Sequence, residues 1–461
     1  MGTLSGILEI GKRALLTNQE ALGVIGHNIA NVNTEGYSRQ RANLEANTPM
    51  DNVNYGQLGT GVTIDSVTRA RNALLDNQYR EESSQLAQYE KQNEALTQIE
   101  NIFNDPTDFG MASILSDFWN AWGDLANDPE SYSARSQLRE RAQILVDSFV
   151  SADDNLRLVE TQLNEEYKTL VDKLNDLASQ IAVLNKKIAL AEGVGQNAND
   201  LRDQRDKKLD EMSEIADIKF SEQSNGAVNV YLDSKIFVQD FNAKELTTRT
   251  NSRNGVVYDD LIWKDSYDSV NLTSGKLKGI EIARDEEVEA IRVRLDELAE
   301  NIVNEVNSRH SAGYGLNGST GMNFFEDGIV NARDMALDQV IISDLDNIAA
   351  AQSNAPGDNS NALDMAELAN LRVMNDETET FGDYYSSTLA RIGTHKVSAE
   401  SYVEEYKAVQ QNIMNMRESV QGVVMDEELT EMIKFQRAYS AAANLIKVIN
   451  ELMAAVVRLG S

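Results

Sequence analysis

Both ends of this chain carry a helical stripe that needs a partner. Residues 4–30 set Leu4, Leu8, Leu15, Leu22, Ile25 and Ile29 along one helical face. Residues 425–459 repeat the pattern with Met425, Met432, Phe435, Tyr439, Ala442, Ile446, Ile449, Met453 and Val456. Stripes sustained over about four heptads argue for coiled-coil packing. The first is also a poor helix by itself, because it holds Gly6, Gly11, Gly23 and Gly26. Each interior glycine costs roughly 1 kcal/mol against alanine. Helices of this kind draw their stability from tertiary contact. The ends are therefore expected to pair with each other, with other chains, or with both.

What lies between them is large and acidic. A length of 461 residues leaves room for about two to four domains. A hydrophobic share of 41% supplies globular cores, and only four prolines suits long uninterrupted helices. The net charge of −32 argues against nucleic acid or an anionic membrane as partner. That charge avoids the ends. Residues 1–80 hold seven basic and seven acidic residues, and residues 430–461 hold four basic against two acidic. A repelling body with near-neutral ends lets the ends crowd together without a like-charge penalty. The chain has no cysteine, which excludes disulfides, thiolate catalysis and thiolate metal sites. Glu9, Lys12 and Arg13 interrupt the apolar N-terminus, so no membrane span is expected there or elsewhere, and no cleavable signal is recognisable.

Along the chain, Asn31-Val32-Asn33-Thr34-Glu35-Gly36-Tyr37 reads as a break, and 38–70 as extended or irregular. A helix is expected from about Ala73 to Phe103, stopped by Asn104-Asp105-Pro106, and another over 111–126. The longest regular stretch runs from Tyr132 to Ala191. Its second half is a heptad with Tyr167, Leu174, Ile181 and Ile188 in one register and Leu163, Leu170, Leu177 and Leu184 in the other. At 1.5 Å per residue it spans on the order of 90 Å. With a following helix over 201–216 it predicts a helical hairpin. Residues 217–280 change character: Val228–Leu232, Ile236–Val238 and Val256–Tyr258 are strand-like, with Asn225-Gly226 and Asn254-Gly255 as turns. Helix returns over 284–308, loops fill 311–360, and helix covers most of 381–459 with a break at Gly422.

No enzyme signature stands out. The three histidines, His27, His310 and His395, have no carboxylate or second histidine at ligand spacing. The run Asp200–Asp206 mixes signs as a solvated, i,i+4-paired face does and lacks the glycine and distal glutamate of a calcium loop. The glycines at 313–321 lack the lysine and the strand–turn–helix setting of a phosphate loop. No catalytic, cofactor or metal residue is assigned.

The break after the first stripe carries a resemblance. His27-Asn28-Ile29-Ala30-Asn31-Val32-Asn33-Thr34-Glu35-Gly36-Tyr37-Ser38-Arg39-Gln40 resembles the N-terminal signature of bacterial flagellar axial proteins of rod, hook and junction. The usual pattern there has two asparagines, Ile-Ala-Asn, two variable positions and Thr-Pro-Gly-Tyr; His27 and Glu35 depart from it. Asp426-Glu427-Glu428 with Phe435-Gln436-Arg437-Ala438-Tyr439 resembles the C-terminal helix of the same group. Asn199–Asp206, Val228–Leu232, Ala312-Gly313-Tyr314 and Arg417–Val420 are similar to the hook-associated protein 1 family. One departure is a short Phe325–Ile348 connection, where longer members carry an outer domain.

The resemblance implies a structural role in the flagellum: a junction ring between hook and filament that templates filament assembly. The alternatives are another axial component (hook or second junction protein) or a cytoplasmic coiled-coil scaffold. It implies as partners further copies of the chain, the hook protein, a second hook–filament junction protein and a cytoplasmic export chaperone at the C-terminal helix. It also implies passage through the flagellar type III export channel to an extracellular position. The expected fold is mainly α: a long helical bundle or coiled coil formed by the terminal segments, with a small inserted β subdomain. The expected division is 1–75 with 405–461 as assembly domain, 76–216 with 281–404 as elongated helical domain, and 217–280 as β subdomain. Residues expected at the assembly interface are Leu4, Leu8, Leu15, Leu22, Ile25, Asn28, Ile29, Ala30, Asn31, Thr34, Gly36 and Tyr37 at one end. At the other they are Met432, Phe435, Gln436, Tyr439, Ile446, Ile449, Leu452, Met453 and Val456.

Overall fold

A computed structural model describes residues 2–52, 56–103, 110–253, 256–355 and 357–459. The expected stop at Asn104-Asp105-Pro106 and the turn at Asn254-Gly255 lie outside the described residues. The chain is mainly helical, with long helices at both ends and a small inserted β region. Helix α1 (Gly2–Ala30) leads into strands β1 (Gln40–Ala46), β2 (Met50–Asn52), β3 (Gly56–Leu58) and β4 (Val62–Arg69). Helices α2 (Ala73–Phe103), α3 (Met111–Asn127), α4 (Tyr132–Glu192) and α5 (Asn199–Ile215) follow.

Segment 38–70 is thus more ordered than its composition suggests. β1 and β4 pair antiparallel from Gln40↔Arg69 to Ala46↔Val62, with a bulge at Asn43/Leu44. Apolar alternation is confined to Val62-Thr63-Ile64 in β4, because this two-stranded ribbon lies along α1 and outside the common core. Thr17 of α1 donates its hydroxyl to Val62 O at 3.1 Å, which lays the ribbon along α1.

The 61-residue α4 is the spine of the body. Its N-cap is Ser131, whose side chain accepts from Ala134 N. The heptad residues Tyr167, Leu174, Ile181 and Ile188 are all fully buried. The β insert is a meander of β5 (Ile218–Glu222), β6 (Val228–Leu232), β7 (Lys235–Gln239) and β8 (Asn242–Ala243), with the hairpin β9 (Leu246–Arg253) and β10 (Val256–Trp263) beside it. Three asparagines about three turns apart on α4 stitch it down. Asn164 Nδ2 donates to Asp259 at 2.7 Å, Asn175 Nδ2 to Leu246 O at 2.9 Å, and Asn185 Nδ2 to Val228 O at 2.8 Å.

Helix α6 (Lys276–Ile282) begins earlier than the sequence pattern predicts and runs through a π-helical turn, Ala283–Val288, into α7 (Glu289–Ala312). Gly279 hides this start from a propensity argument. A Cβ there would come within 2.5 Å of Gln88 O, so glycine is what lets α6 lie against α2. Among its described residues, the loop-rich 313–359 segment holds the short α8 (Gln339–Ser343) and two 3₁₀ turns. It is pinned by His310, which sits between Met322 O (2.7 Å) and Ala349 N (2.9 Å), and by Arg135, which donates to Leu345 O and Ile348 O. Burial pushes the His310 imidazole down to about 4, so it serves as a neutral donor–acceptor bridge. After α9 (Ser360–Glu367), α10 (Phe381–Gln421) returns along α2, where Tyr89 stacks on Tyr402 and Tyr406. The chain breaks at Gly422, as its sequence implies, and α11 (Met425–Leu459) runs to the end of the described residues.

One contiguous core joins α2, α3, α4, α5, the β insert, α7, α9 and α10. No described residue of α1 or α11 belongs to it. Those two helices pack on each other. Asn28 meets Glu428, and Gly11 faces Ile446 (3.0 Å from where its Cβ would stand), so they run antiparallel.

Candidate assembly interface

The signature after α1 builds a joint. Asn28 is buried and meets all four of its hydrogen-bonding needs. Its Nδ2 donates to Gln40 O and Glu428 Oε2, both at 2.9 Å, while its Oδ1 accepts from Gln40 N at 2.9 Å and Tyr37 Oη at 2.8 Å. A single side chain thereby ties the end of α1, the start of β1 and the start of α11. Glu428 is also buried and meets Arg39 Nε at 2.6 Å. Asn31 Nδ2 donates to His27 O, and Thr34 Oγ1 donates to Asn31 Oδ1, which closes the turn below the helix. Gly36 takes φ +80°, a left-handed turn that a residue with a Cβ adopts only under strain. The Tyr37 hydroxyl is pushed well above its usual range by burial and by Asp200, Asp203 and Glu428, so it stays a donor.

The two positions that depart from the axial pattern both face α5. His27 Nε2 lies 3.3 Å from Asp200, and Glu35 pairs with Lys207 at 2.7 Å. His395 likewise meets Glu287 at 2.7 Å. Tertiary packing supplies carboxylates that linear spacing could not reveal. Among the described residues, however, no three His, Asp or Glu side chains gather as a metal site would need.

Below the joint, α5 turns Asp203, Asp206 and Asp210 toward arginines from elsewhere in the chain. Asp203 accepts from Ser38 N (2.9 Å), Ser38 Oγ (2.7 Å) and Arg69 Nη1 (2.6 Å). Asp206 accepts from Arg69 Nη1 (2.8 Å) and Arg71 Nη1 (2.5 Å). Asp210 accepts from Arg80 Nε (2.6 Å) and Arg417 Nη2 (3.0 Å), and Arg417 Nε reaches Asp76 at 2.9 Å. Burial alone would raise the Asp206 carboxyl, but Arg71, Arg69 and Arg80 hold it far below the usual range. At Asp203 burial wins and the carboxyl is raised despite Arg69 and Ser38. Removing one partner from a buried network of this kind costs on the order of 3–5 kcal/mol, because the others are left uncompensated.

The stripes found in the sequence form the seam between α1 and α11. Ile25 and Ile449 are buried in it, and Leu4, Leu8, Leu15, Leu22, Ile29, Met432, Phe435, Tyr439, Ile446 and Met453 are half-buried. Asn31 and Tyr37 are half-buried at the joint, while Ala30, Thr34, Gly36 and Gln436 are exposed. Leu452 and Val456 stand on a second, open apolar face with Leu429, Ile433, Leu445 and Val448, about half of whose surface reaches solvent (51% for Ile433, 50% for Val448). Ile7 and Leu16 extend open apolar surface onto α1. Sequence reading missed Ile433, Leu445 and Val448, although 445, 448, 452 and 456 repeat at three and four residues as the seam does. α11 is therefore apolar on two sides. For the same reason the expectation of no membrane-length segment fails by composition: one 18-residue window within Phe381–Arg458 is apolar enough to span, and 11% of it is buried. Beside the pair, an open groove of about 850 Å³ runs between α1, β1 and the start of α11, walled by Val24, Ile25, Leu44 and Phe435 and rimmed by Arg41, Glu427 and Glu431.

Known protein families match both ends of the chain and its body. The family described as flagella basal body rod protein matches residues 8–37, and the flagellar basal body rod FlgEFG protein C-terminal family matches 419–459. Two terminal helices joined beside a separate body, with these matches at both ends, define a flagellar axial protein. The flagellar hook-associated protein FlgK helical domain matches residues 96–325. The flagellar hook-associated protein 1 of Bacillus subtilis (strain 168) is 30% identical, over 98% of this chain and 97% of its own. That of Escherichia coli (strain K12) is 25% identical over 99% and 100%. The chain belongs to the flagellar hook-associated protein 1 family and is a structural component of the flagellum. In fold it matches the flagellar hook junction protein FlgK from Burkholderia pseudomallei, with a TM-score of 0.68 at 16% identity over 75% of this chain and 100% of the other.

Proposed function

We propose that this chain is the subunit of a ring at the junction of hook and filament, with the α1–α11 pair as its inner layer and the body outside it. The observation that carries this reading is the second apolar face of α11, which nothing among the described residues covers. Fully burying an exposed Val or Leu gains about 1.5–3 kcal/mol, so covering one that is already half-buried gains roughly half as much, a gain left to neighbouring subunits. The glycines of α1 point the same way. A Cβ at Gly6, Gly23 or Gly26 would meet nothing within 4 Å, so no contact among the described residues accounts for their cost. Close approach of another subunit's helix does.

In this reading the assembly domain comprises 1–75 with 405–461, the elongated helical domain 76–216 with 281–404, and the β subdomain 217–280. The hook protein lies on one side of the ring and a second junction protein on the other, and the ring offers filament subunits their first template. Before export the open face of α11 needs cover, and a cytoplasmic flagellar export chaperone is the proposed occupant. The subunit then travels through the type III channel to its extracellular place. The role is structural and involves no catalysis.

Immunogold labelling of purified hook–filament structures tests the placement. Gold confined to the junction is the expected result; gold spread along the hook or the filament would assign the chain to a different axial position.

A further inference from the structure

We infer that the carboxylate face of α5 sets the angle at which the terminal pair leaves the body, and that Asp206 is the central positioning residue; the consequence for assembly rests on the function proposed above. α5 belongs to the body. Leu209, Met212 and Ile215 on one side lie in the common core, and Arg205 donates to Gly226 O at 2.6 Å and to Asn185 Oδ1 at 3.2 Å. Asp203, Asp206 and Asp210 follow at i, i+3 and i+7, a spacing that lines up one face.

The terminal pair is joined to the body through few segments. These are the turn 31–39, the ribbon leading through Arg69 to α2, and the link 422–424. The first and the last are natural hinges by themselves, since the one contains Gly36 and the other Gly422. The α5 face clamps the first two directly and reaches the third only at its edge, through Arg71 and Gln421. Ser38 binds Asp203 through both its amide and its hydroxyl, and Arg69 bridges Asp203 and Asp206 at the base of β4. Arg71 bridges Asp206 at 2.5 Å and Gln421 Oε1 at 3.2 Å, while Gln421 O accepts from Arg39 N at 2.9 Å. Arg80 and Arg417 bind Asp210 and bring in α2 and the last turns of α10. Four guanidinium groups thus face four carboxylates, Asp76 included, in a charge-balanced knot. Asp206 is the member that touches both the ribbon and the segment contacting the α10 terminus. Without it the three links keep their covalent connection and lose their common anchor.

The test uses the full chain, which carries no cysteine of its own. Spin labels are placed at Thr63→Cys on the ribbon and Lys173→Cys on α4, both at exposed positions. Their separation is measured by pulsed electron resonance with Asp206 intact and with Asp206→Asn. The expected result is a single narrow distance in the parent and a broadened or second population in the variant. The near-ultraviolet dichroism of the buried Trp119 and Trp122 should stay unchanged, and incorporation at the junction should be lost. An unchanged distance distribution in folded Asp206→Asn overturns the inference. So does a broadened distribution in a variant that still assembles normally. If Asp206→Asn does not fold, Arg69→Gln, which frees the ribbon alone, decides by the same readouts. Absence of the parent protein from the junction would count against the proposed function and leave the distance measurement to judge the knot by itself.

Discussion

The spine helix α4 and the terminal helix α11 are written in nearly the same code and end in opposite states. Both repeat apolar residues every three and four positions. Along α4, Tyr167, Leu174, Ile181 and Ile188 vanish into one continuous core. Along α11, the matching stripe is only half-covered by α1, and a second stripe stands open. Periodicity therefore states that a face needs burial. How much surrounding protein the same chain can supply is a separate matter, and the shortfall is the surface that the proposed ring assigns to neighbouring subunits.

Substitutions that load the two helices differently would break or sharpen this contrast. The largest effect on the isolated subunit belongs to the spine. Ile181→Ala removes a fully buried side chain and should cost about 2–5 kcal/mol in denaturant unfolding. A loss below about 1 kcal/mol would mean the spine is no better packed than the pair.

Next comes the charge buried between α4 and α7. Burial pushes the Glu160 carboxyl up to about 7, with Arg292 only partly offsetting it, and Arg292 lies between Glu160 (3.4 Å) and Asp153 (3.2 Å). A carboxyl raised in the folded state stabilises the fold at low pH. That contribution is fully present below the unfolded value of 4.5 and fades as pH climbs through about 7. Glu160→Gln should therefore be more stable than the parent at pH 8 by up to about 3 kcal/mol, with the difference disappearing near pH 4. Thermal unfolding at the two pH values checks the sign; a variant weaker at pH 8 would show that ion pairing with Arg292 outweighs burial.

Gly23→Ala is the middle case. It should stabilise the terminal helix by roughly 1 kcal/mol, read as slower amide exchange in α1, while impairing incorporation at the junction. Improved exchange protection together with normal motility would remove the argument that α1 keeps its glycines for a neighbour. The smallest effect on the subunit is expected for Val448→Asp. Its unfolding free energy should stay within about 0.5 kcal/mol of the parent, since the side chain is already half in water. Motility should nevertheless be lost, so the substitution that least affects the subunit's stability abolishes assembly.

Much of the architecture was legible because it rests on local rules. The spine, the hairpin onto α5, the β insert and the break at Gly422 all follow from apolar period and turn chemistry. The ribbon at 40–69 was legible only as a short β-like run at Gly61–Ile64 and not as a paired hairpin, because β1 carries no alternation and the ribbon joins no core. The start of α6 was hidden by Gly279, which packing against Gln88 requires and helix propensity disfavours. At the interface, the seam residues were visible as a stripe, whereas Ile433, Leu445 and Val448 were overlooked because a second stripe on one helix reads as mere hydrophobicity. The acidic residues of α5 read as a solvated face. Nothing in their spacing announces that Arg69, Arg71, Arg80 and Arg417 converge on them across as many as 207 positions of sequence.

The sequence by itself determined which segments are helical, which faces are apolar, and that the two ends need partners, because these depend on neighbours three or four residues away. Only the tertiary structure decided that the ends meet each other antiparallel and still leave one face of α11 uncovered. It also decided that Asn28 locks the joint and that α5 clamps the turn at Ser38 and the base of the ribbon at Arg69. Those outcomes depend on which distant groups reach one another, and buried hydrogen bonds and ion pairs form only where the whole chain brings complementary groups together away from water.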